Sequence, residues 1–84
     1  MAYRIAIDPP ALKALKRLDT PVRRRHEAAI DALADNPRPA GCKKLTGVQA
    51  WRIRVGAWRI VYSIADAELT VLVVRIGHRR EVYE

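Results

Sequence analysis

The sequence has no phenylalanine, one cysteine, four glycines and only 6% aromatic residues. A single thiol, Cys42, cannot close an internal disulfide, so the disulfide-stapled secreted class is excluded and a reducing cytoplasm is expected. Cys42 stands in a loop beside Gly41 with no base at an interpretable spacing, and reads as a spectator. The longest apolar stretch, residues 69–74, is interrupted by Thr70 and falls far short of the roughly 20 residues of a membrane span. The opening Met1-Ala2-Tyr3-Arg4 has no apolar signal-peptide core. Glycine is too scattered for a phosphate-cradling loop, since Gly47, Gly56 and Gly77 each fall at a turn. His26, His78 and the scattered carboxylates show no metal-ligand spacing, so neither a metal nor another cofactor is expected.

Acid is scarce as well: nine Asp+Glu stand against sixteen Lys+Arg, a formal +7 over 84 residues. Half of the residues are apolar, which makes this a folding chain rather than a disordered basic tail. The length predicts one domain over residues 1–84. A chain of this size buries only about 60% of its unfolded surface, too little to enclose a large cofactor. Its charge calls for a polyanion or an acidic protein as partner.

Residues 3–7 alternate, with Tyr3, Ile5 and Ile7 on one side, which predicts a half-buried strand. Asp8-Pro9-Pro10 ends it and starts a helix over residues 9–18, with Asp8 as cap and Ala11, Leu12, Leu15 and Leu18 on one stripe. Thr20-Pro21 repeats this start. Val22, His26, Ala29, Ile30 and Leu33 then give the stripe of a second helix, antiparallel to the first and closed by Asn36-Pro37. His26 on that stripe reads as a core or boundary histidine. Residues 37–49, with two prolines and two glycines, read as a loop. Strands follow at 50–55, 58–65 and 69–76. The expected fold is α+β, in the order β-α-α-β-β-β with a short C-terminal segment, a helical hairpin packed on one face of a small, mostly antiparallel sheet.

The stretch from Ala50 to Tyr62 carries the most information. With Gly56-Ala57 as a two-residue type II′ turn, Val55 faces Trp58, Ile53 faces Ile60 and Trp51 faces Tyr62. The intervening pairs are Arg54 with Arg59 and Arg52 with Val61. One register thus sorts the hairpin into an apolar and a basic face, and a one-residue slip mixes them. Arg54 opposite Arg59 is a like-charge pair, which destabilises a sheet and points to an anion between them. A three-residue loop at Asp66-Ala67-Glu68 would place Arg75 opposite Arg59. From Lys43 to Arg59 there are five basic residues and no acid; from Arg75 to Arg80 there are three more plus His78. The positive charge therefore reads as concentrated on this hairpin and the neighbouring strand end. Solubilising surface charge is normally mixed in sign, and this is not. Arginine outnumbers lysine twelve to four, and its planar fork suits phosphate and nucleobases. Lys43-Lys44 reads equally as a phosphate contact or as a solvated pair.

The tail Gly77-His78-Arg79-Arg80-Glu81-Val82-Tyr83 collects an imidazole, two guanidiniums and a phenol. Metal-free RNA cleavage needs a proton taken from the 2′-hydroxyl, charge offset at the phosphate and a proton given to the leaving oxygen. Fixed cations do the second. His78 or Tyr83 held in reach would do the others, and nearby arginines favour the phenolate of Tyr83. Tyr83 reads equally as an anchor that pins the tail.

Trp51-Arg-Ile-Arg-Val-Gly56, Trp58-Arg-Ile-Val-Tyr62 and Ile76-Gly-His-Arg-Arg-Glu-Val-Tyr83 together resemble the RelE/ParE superfamily of bacterial toxins. The connector Asn36-Pro-Arg-Pro-Ala-Gly41 with Lys44-Leu-Thr-Gly47 agrees, and the resemblance covers nearly the whole chain. It implies a type II toxin. Its RelE branch implies a ribosome-dependent, metal-independent endoribonuclease that cuts mRNA in the A site. On that resemblance the catalytic set is Arg54, Arg59, Arg79 and Tyr83, with Lys43, Lys44, Arg52, Arg75, His78 and Arg80 holding RNA or phosphate. Arginine at 52 and 54, where the family often has lysine, binds phosphate but does not serve readily as a base. The implied partners are a cognate antitoxin, the ribosome and mRNA, with operator DNA reached only through the antitoxin and no membrane. A ParE-type inhibitor of DNA gyrase and a non-catalytic RNA-binding protein are the alternatives.

Overall fold

Prolines decide where the helices begin. In the computed structural model, which describes residues 2–78, β1 (Arg4–Ile7) stops at Asp8, and α1 (Pro9–Lys16) starts on the two prolines. A missing N–H costs nothing there. After a three-residue turn, α2 (Thr20–Asp35) carries Pro21 in its first turn. The cap expected from Asp8 is not made by its side chain, and Asp19, not Thr20, is the cap residue of α2, again without a side-chain bond. The carbonyls of Asp8 and Asp19 instead accept from the N–H groups of Leu12 and Arg23. Fixed proline φ and backbone bonds are enough to start each helix. Asn36 turns extended before Pro37 and ends α2.

Ala11, Leu15 and Leu18, together with Ile30 and Leu33 of α2, are buried against one sheet face. That face is supplied by β3 (Trp51–Val55), β4 (Trp58–Ala65) and β5 (Thr70–His78) through Ile53, Ile60, Tyr62, Val71, Val73 and Ile76. The sheet order is β1-β5-β4-β3-β2, with β1 parallel to β5 and every other neighbour antiparallel. Two helices on a five-strand mixed sheet is the α+β arrangement expected, with differences in extent: α1 ends at Lys16, two residues short of the expected 18. The connector read as a loop contains β2 (Lys43–Lys44), which pairs with the start of β3. β5 also runs two residues beyond the expected 76, to His78. Among the described residues, no helix is long and apolar enough to cross a membrane.

The β3–β4 register is the one expected, pair for pair from Trp51↔Tyr62 to Val55↔Trp58. Gly56 has φ +61° and Ala57 stays at negative φ, as the first and second positions of a type II′ turn require. The β4–β5 register differs. A 3-10 turn at Asp66–Glu68 is followed by Leu69 at φ 48°, so the connection is one residue longer than expected. A register shift between Val61 and Tyr62 then places Tyr62 opposite Val73 but Val61 opposite Arg75, leaving Val74 as the extra residue. Arg75 consequently faces Val61 rather than Arg59, and Arg59 faces Gly77. Arg75 still lies on the side expected of it.

Candidate nucleic-acid interface

Pairing and period-two alternation put two rows of side chains on the sheet face turned away from the helices. One row reads Lys43, Arg52, Val61, Arg75 across β2 to β5. The next reads Arg54, Arg59, Gly77 across β3 to β5. Five cations therefore share one face with no acid in either row. Arg54, Arg75 and Lys43 are exposed, Arg59 is half-buried and Arg52 is only 1% exposed. A guanidinium that deeply buried is costly unless its charge is answered, so Arg52 is held rather than solvated. Gly77, opposite Arg59, has no side chain and is buried. A hollow of about 230 Å³ lies at the hairpin tip, lined by Arg54, Gly56, Ala57, Trp58 and Arg59. It is small, open and flanked by two guanidiniums, dimensions that suit a phosphate group rather than an enclosed organic ligand.

Two residues expected at this surface lie elsewhere. Lys44 pairs with Trp51, on the helix side of the sheet, and its Nζ lies 5.7 Å from the Trp51 ring centroid. Adjacent lysines in one strand point to opposite faces, so only Lys43 joins the arginines. His78 pairs with Trp58 and packs edge-on to it, ring centroids 5.5 Å apart. Trp58 in turn meets His26 at 5.9 Å, and His26 is fully buried, its Nδ1 within 2.8 Å of the Val22 carbonyl. His26 is thus the core histidine its stripe predicted. Arg79, Arg80 and Tyr83 lie outside the described residues.

A second polar cluster, which no motif announces, lies at the other end of the sheet. Arg38 donates from both terminal nitrogens to Asp66, at 3.1 and 2.9 Å, and Tyr3 donates its hydroxyl to the same carboxylate at 2.7 Å. These bonds hold the Asp66 carboxyl down to about 2, chiefly through Arg38 and then Tyr3. The Arg38 guanidinium also lies 5.0 Å from the centre of the Trp51 ring, a cation–π contact. The fully buried Tyr62 donates its hydroxyl to the Pro37 carbonyl at 2.7 Å, and burial keeps that phenol protonated well beyond the ordinary range. The connector is thereby fastened at Pro37 and Arg38. The only signal in the sequence was an arginine set between two prolines, where the backbone has little freedom.

The model of a protein family described as the ParE toxin of the type II toxin–antitoxin system parDE matches residues 5–83. The mRNA interferase toxin RelE of Escherichia coli strain K12 is 31% identical, covering 99% of this chain and 92% of that protein. Among solved structures, an archaeal RelE–RelB complex from Pyrococcus horikoshii superposes with a TM-score of 0.85 at 27% identity, over 98% of this chain and 100% of that one. The toxin of the intact E. coli RelBE toxin–antitoxin complex gives 0.80 at 28% identity, over 92% and 96%. The chain belongs to the RelE/ParE superfamily of type II toxins.

Proposed function

We propose that this chain is the toxin of a type II toxin–antitoxin module and an endoribonuclease that cuts translated mRNA in the ribosomal A site. The observation that carries this reading is the direct pairing of Arg54 with Arg59 beside Gly77. Two guanidiniums facing one another across a sheet weaken the fold, and an RNA phosphate between them turns that repulsion into binding. The named relative is an mRNA interferase toxin, and the named complexes pair such toxins with antitoxins, which supports a cognate antitoxin here. Work on ribosomes would place the protein in the cytoplasm.

In the proposed reaction the 2′-oxygen attacks the neighbouring phosphorus and loses its proton. The bond from phosphorus to the 5′-oxygen breaks, and that oxygen takes a proton, leaving a 2′,3′-cyclic phosphate and a 5′-hydroxyl. Arg54 and Arg59 offset the charge gathering on the phosphate, and the exposed Lys43 and Arg75 hold the flanking strand, while Arg52, expected at the RNA, is buried and supports the face from within. Arginine stays protonated, so these residues do not relay protons. The family resemblance places Arg79 and Tyr83 with Arg54 and Arg59 in the set that stabilises the phosphate and assists proton transfer. His78, edge-on to Trp58 on the helix side, receives no proton-transfer role.

Mapping mRNA 5′ ends by primer extension, with and without translation, tests the reading. Ribosome-dependent cuts are expected, with Arg59→Ala reducing the saturated rate roughly 100- to 1,000-fold. Cuts that need no ribosome, or intact mRNA during growth arrest, overturn it. The family model's ParE description favours one second reading, inhibition of DNA gyrase, which predicts blocked supercoiling while mRNA stays whole.

A further inference from the structure

One cation of the RNA face sits on a strand that does little to fix its own place. β2 is two residues long, and Lys43 and Lys44 are both exposed, so burial of these residues does not hold it. A pairing that short is marginal by itself. Lys43 nevertheless stands in register with Arg52, at the end of the row that continues to Arg75. Its position has to be set from outside β2.

The cluster around Asp66 supplies that restraint. Arg38 lies five residues before Lys43 and between two prolines, which stiffen the chain on either side of it. The Cys42 N–H bonds back to the Pro39 carbonyl at 3.1 Å, so little slack separates Arg38 from β2. The segment is tied to the core at its start, where Pro37 accepts from the Tyr62 hydroxyl. The Arg38 fork then reaches Asp66 in the β4–β5 connection, the carboxylate that Tyr3 also holds. The same guanidinium lies against Trp51, and Trp51 is the residue that pairs with Lys44. Arg38 is thus bonded on one side to a strand connection and packed on the other against the residue that sets the register of β2. The two side chains of the ion pair are 43% and 55% exposed, and exposed pairs add little stability. What a forked, two-bond contact fixes is geometry.

We propose that Arg38, held by Asp66, is a positioning residue for the RNA face: it sets β2 so that Lys43 meets the phosphate backbone of a single-stranded RNA in line with Arg75. The Lys43 contact rests on the reading of that face given above; the clamp on β2 does not.

Asp66→Ala is the decisive variant, because it removes an acid and adds one to the net charge of +7. Counting charges predicts tighter RNA binding, whereas loss of the clamp predicts weaker binding. Arg38→Lys keeps the charge and loses the fork, and it serves if Asp66→Ala fails to fold. The probe is poly-uridylate, titrated over a range of salt with the full-length protein, Lys43→Gln, Asp66→Ala and the double variant. Lys43→Gln should lower the slope of log K against log salt by about 0.7, one contact to a single strand. In the Asp66→Ala background the same change should lower it by less than about half of that, since a displaced Lys43 has no contact left to lose. Asp66→Ala alone should bind more weakly than the unaltered protein. Amide exchange reads the clamp without RNA. The Leu45 N–H, bonded to the Ala50 carbonyl at 2.8 Å, should exchange roughly tenfold faster in Asp66→Ala and in Arg38→Lys, while Ile53 and Ile60 stay as protected as before. Unchanged Leu45 exchange overturns the proposal, as does tighter RNA binding by Asp66→Ala or an equal effect of Lys43→Gln in both backgrounds. If Lys43→Gln leaves the slope of the unaltered protein where it was, Lys43 is no RNA contact; that result overturns the reading of the face, and the proposal with it, even where Leu45 exchange shows the clamp.

Discussion

Replacing Arg54 by glutamine should make the protein more stable and less active. The side chain is exposed and directly opposite Arg59, so the water dielectric governs the pair. At a charge separation of roughly 7 Å the repulsion in water is about 0.6 kcal/mol. Screening reduces this to about 0.5 kcal/mol at 0.01 M salt, about 0.3 at 0.1 M and under about 0.1 at 1 M. Glutamine keeps most of the aliphatic stem and removes the charge. For a domain of this size, about 0.5 kcal/mol corresponds to a rise of roughly 2–4 °C in Tm.

Thermal unfolding followed by circular dichroism at those three salt concentrations provides the assay. The wild-type Tm should climb with added salt and the Arg54→Gln curve should converge on it near 1 M. Ribosomal cleavage should fall at least tenfold in the same variant. A drop in Tm at low salt, or a difference between the proteins that ignores salt, would refute the like-charge argument. Stabilisation with full activity would refute the assignment of Arg54 to the phosphate.

Ile30→Ala should cost about 2–5 kcal/mol in urea unfolding, because Ile30 is 3% exposed between α2 and the sheet; a loss below about 1 kcal/mol would contradict that packing. Asp66 should titrate near pH 2 by carboxyl NMR, and Arg38→Ala should return it toward 3.8, its largest influence being gone. Its folded value is depressed, so the cluster supports the fold fully above about pH 3.8 and loses that support as pH falls through about 2. A midpoint unmoved in the variant would remove Arg38 as the cause.

How much was legible depended on whether the sequence marked the feature with contrasting residue types. The β3–β4 register was readable because arginines alternate with Trp51, Ile53, Val55, Trp58, Ile60 and Tyr62, and only one pairing keeps the faces apart. Beyond Tyr62 the contrast fades. Val71, Leu72, Val73 and Val74 are interchangeable to a pattern reading, so nothing marks Val74 as the extra residue. Leu69 at φ 48° is likewise unmarked, because a left-handed position is normally signalled by glycine or asparagine. The division of Lys43 from Lys44 was hidden by the flanking prolines and glycines, which made a two-residue strand read as loop. The Arg38–Asp66 pair joins residues 28 apart, beyond any local periodicity.

The longer β4–β5 connection and the bulge at Val74 have to be considered together. With the connection alone, the register from Ala65↔Thr70 would continue unbroken and set Arg75 opposite Ile60 and Ile76 opposite Arg59. Ile60 is fully buried, so Arg75 would then enter the core beneath the helices while Ile76 turned out to water. A buried, unanswered guanidinium costs several kcal/mol, and losing the Ile76 side chain from the core adds more. One extra residue restores both: Val61 meets Arg75, Ile60 meets Ile76, and Gly77 comes to rest beside Arg59. The apolar face thus compels the bulge, and the arginine rows follow from it. Core packing does not require the next step, an arginine on each side of the hairpin at Arg54 and Arg59. Directly opposed guanidiniums repel across a hairpin, and a phosphate held between Arg54 and Arg59 would turn that repulsion into binding.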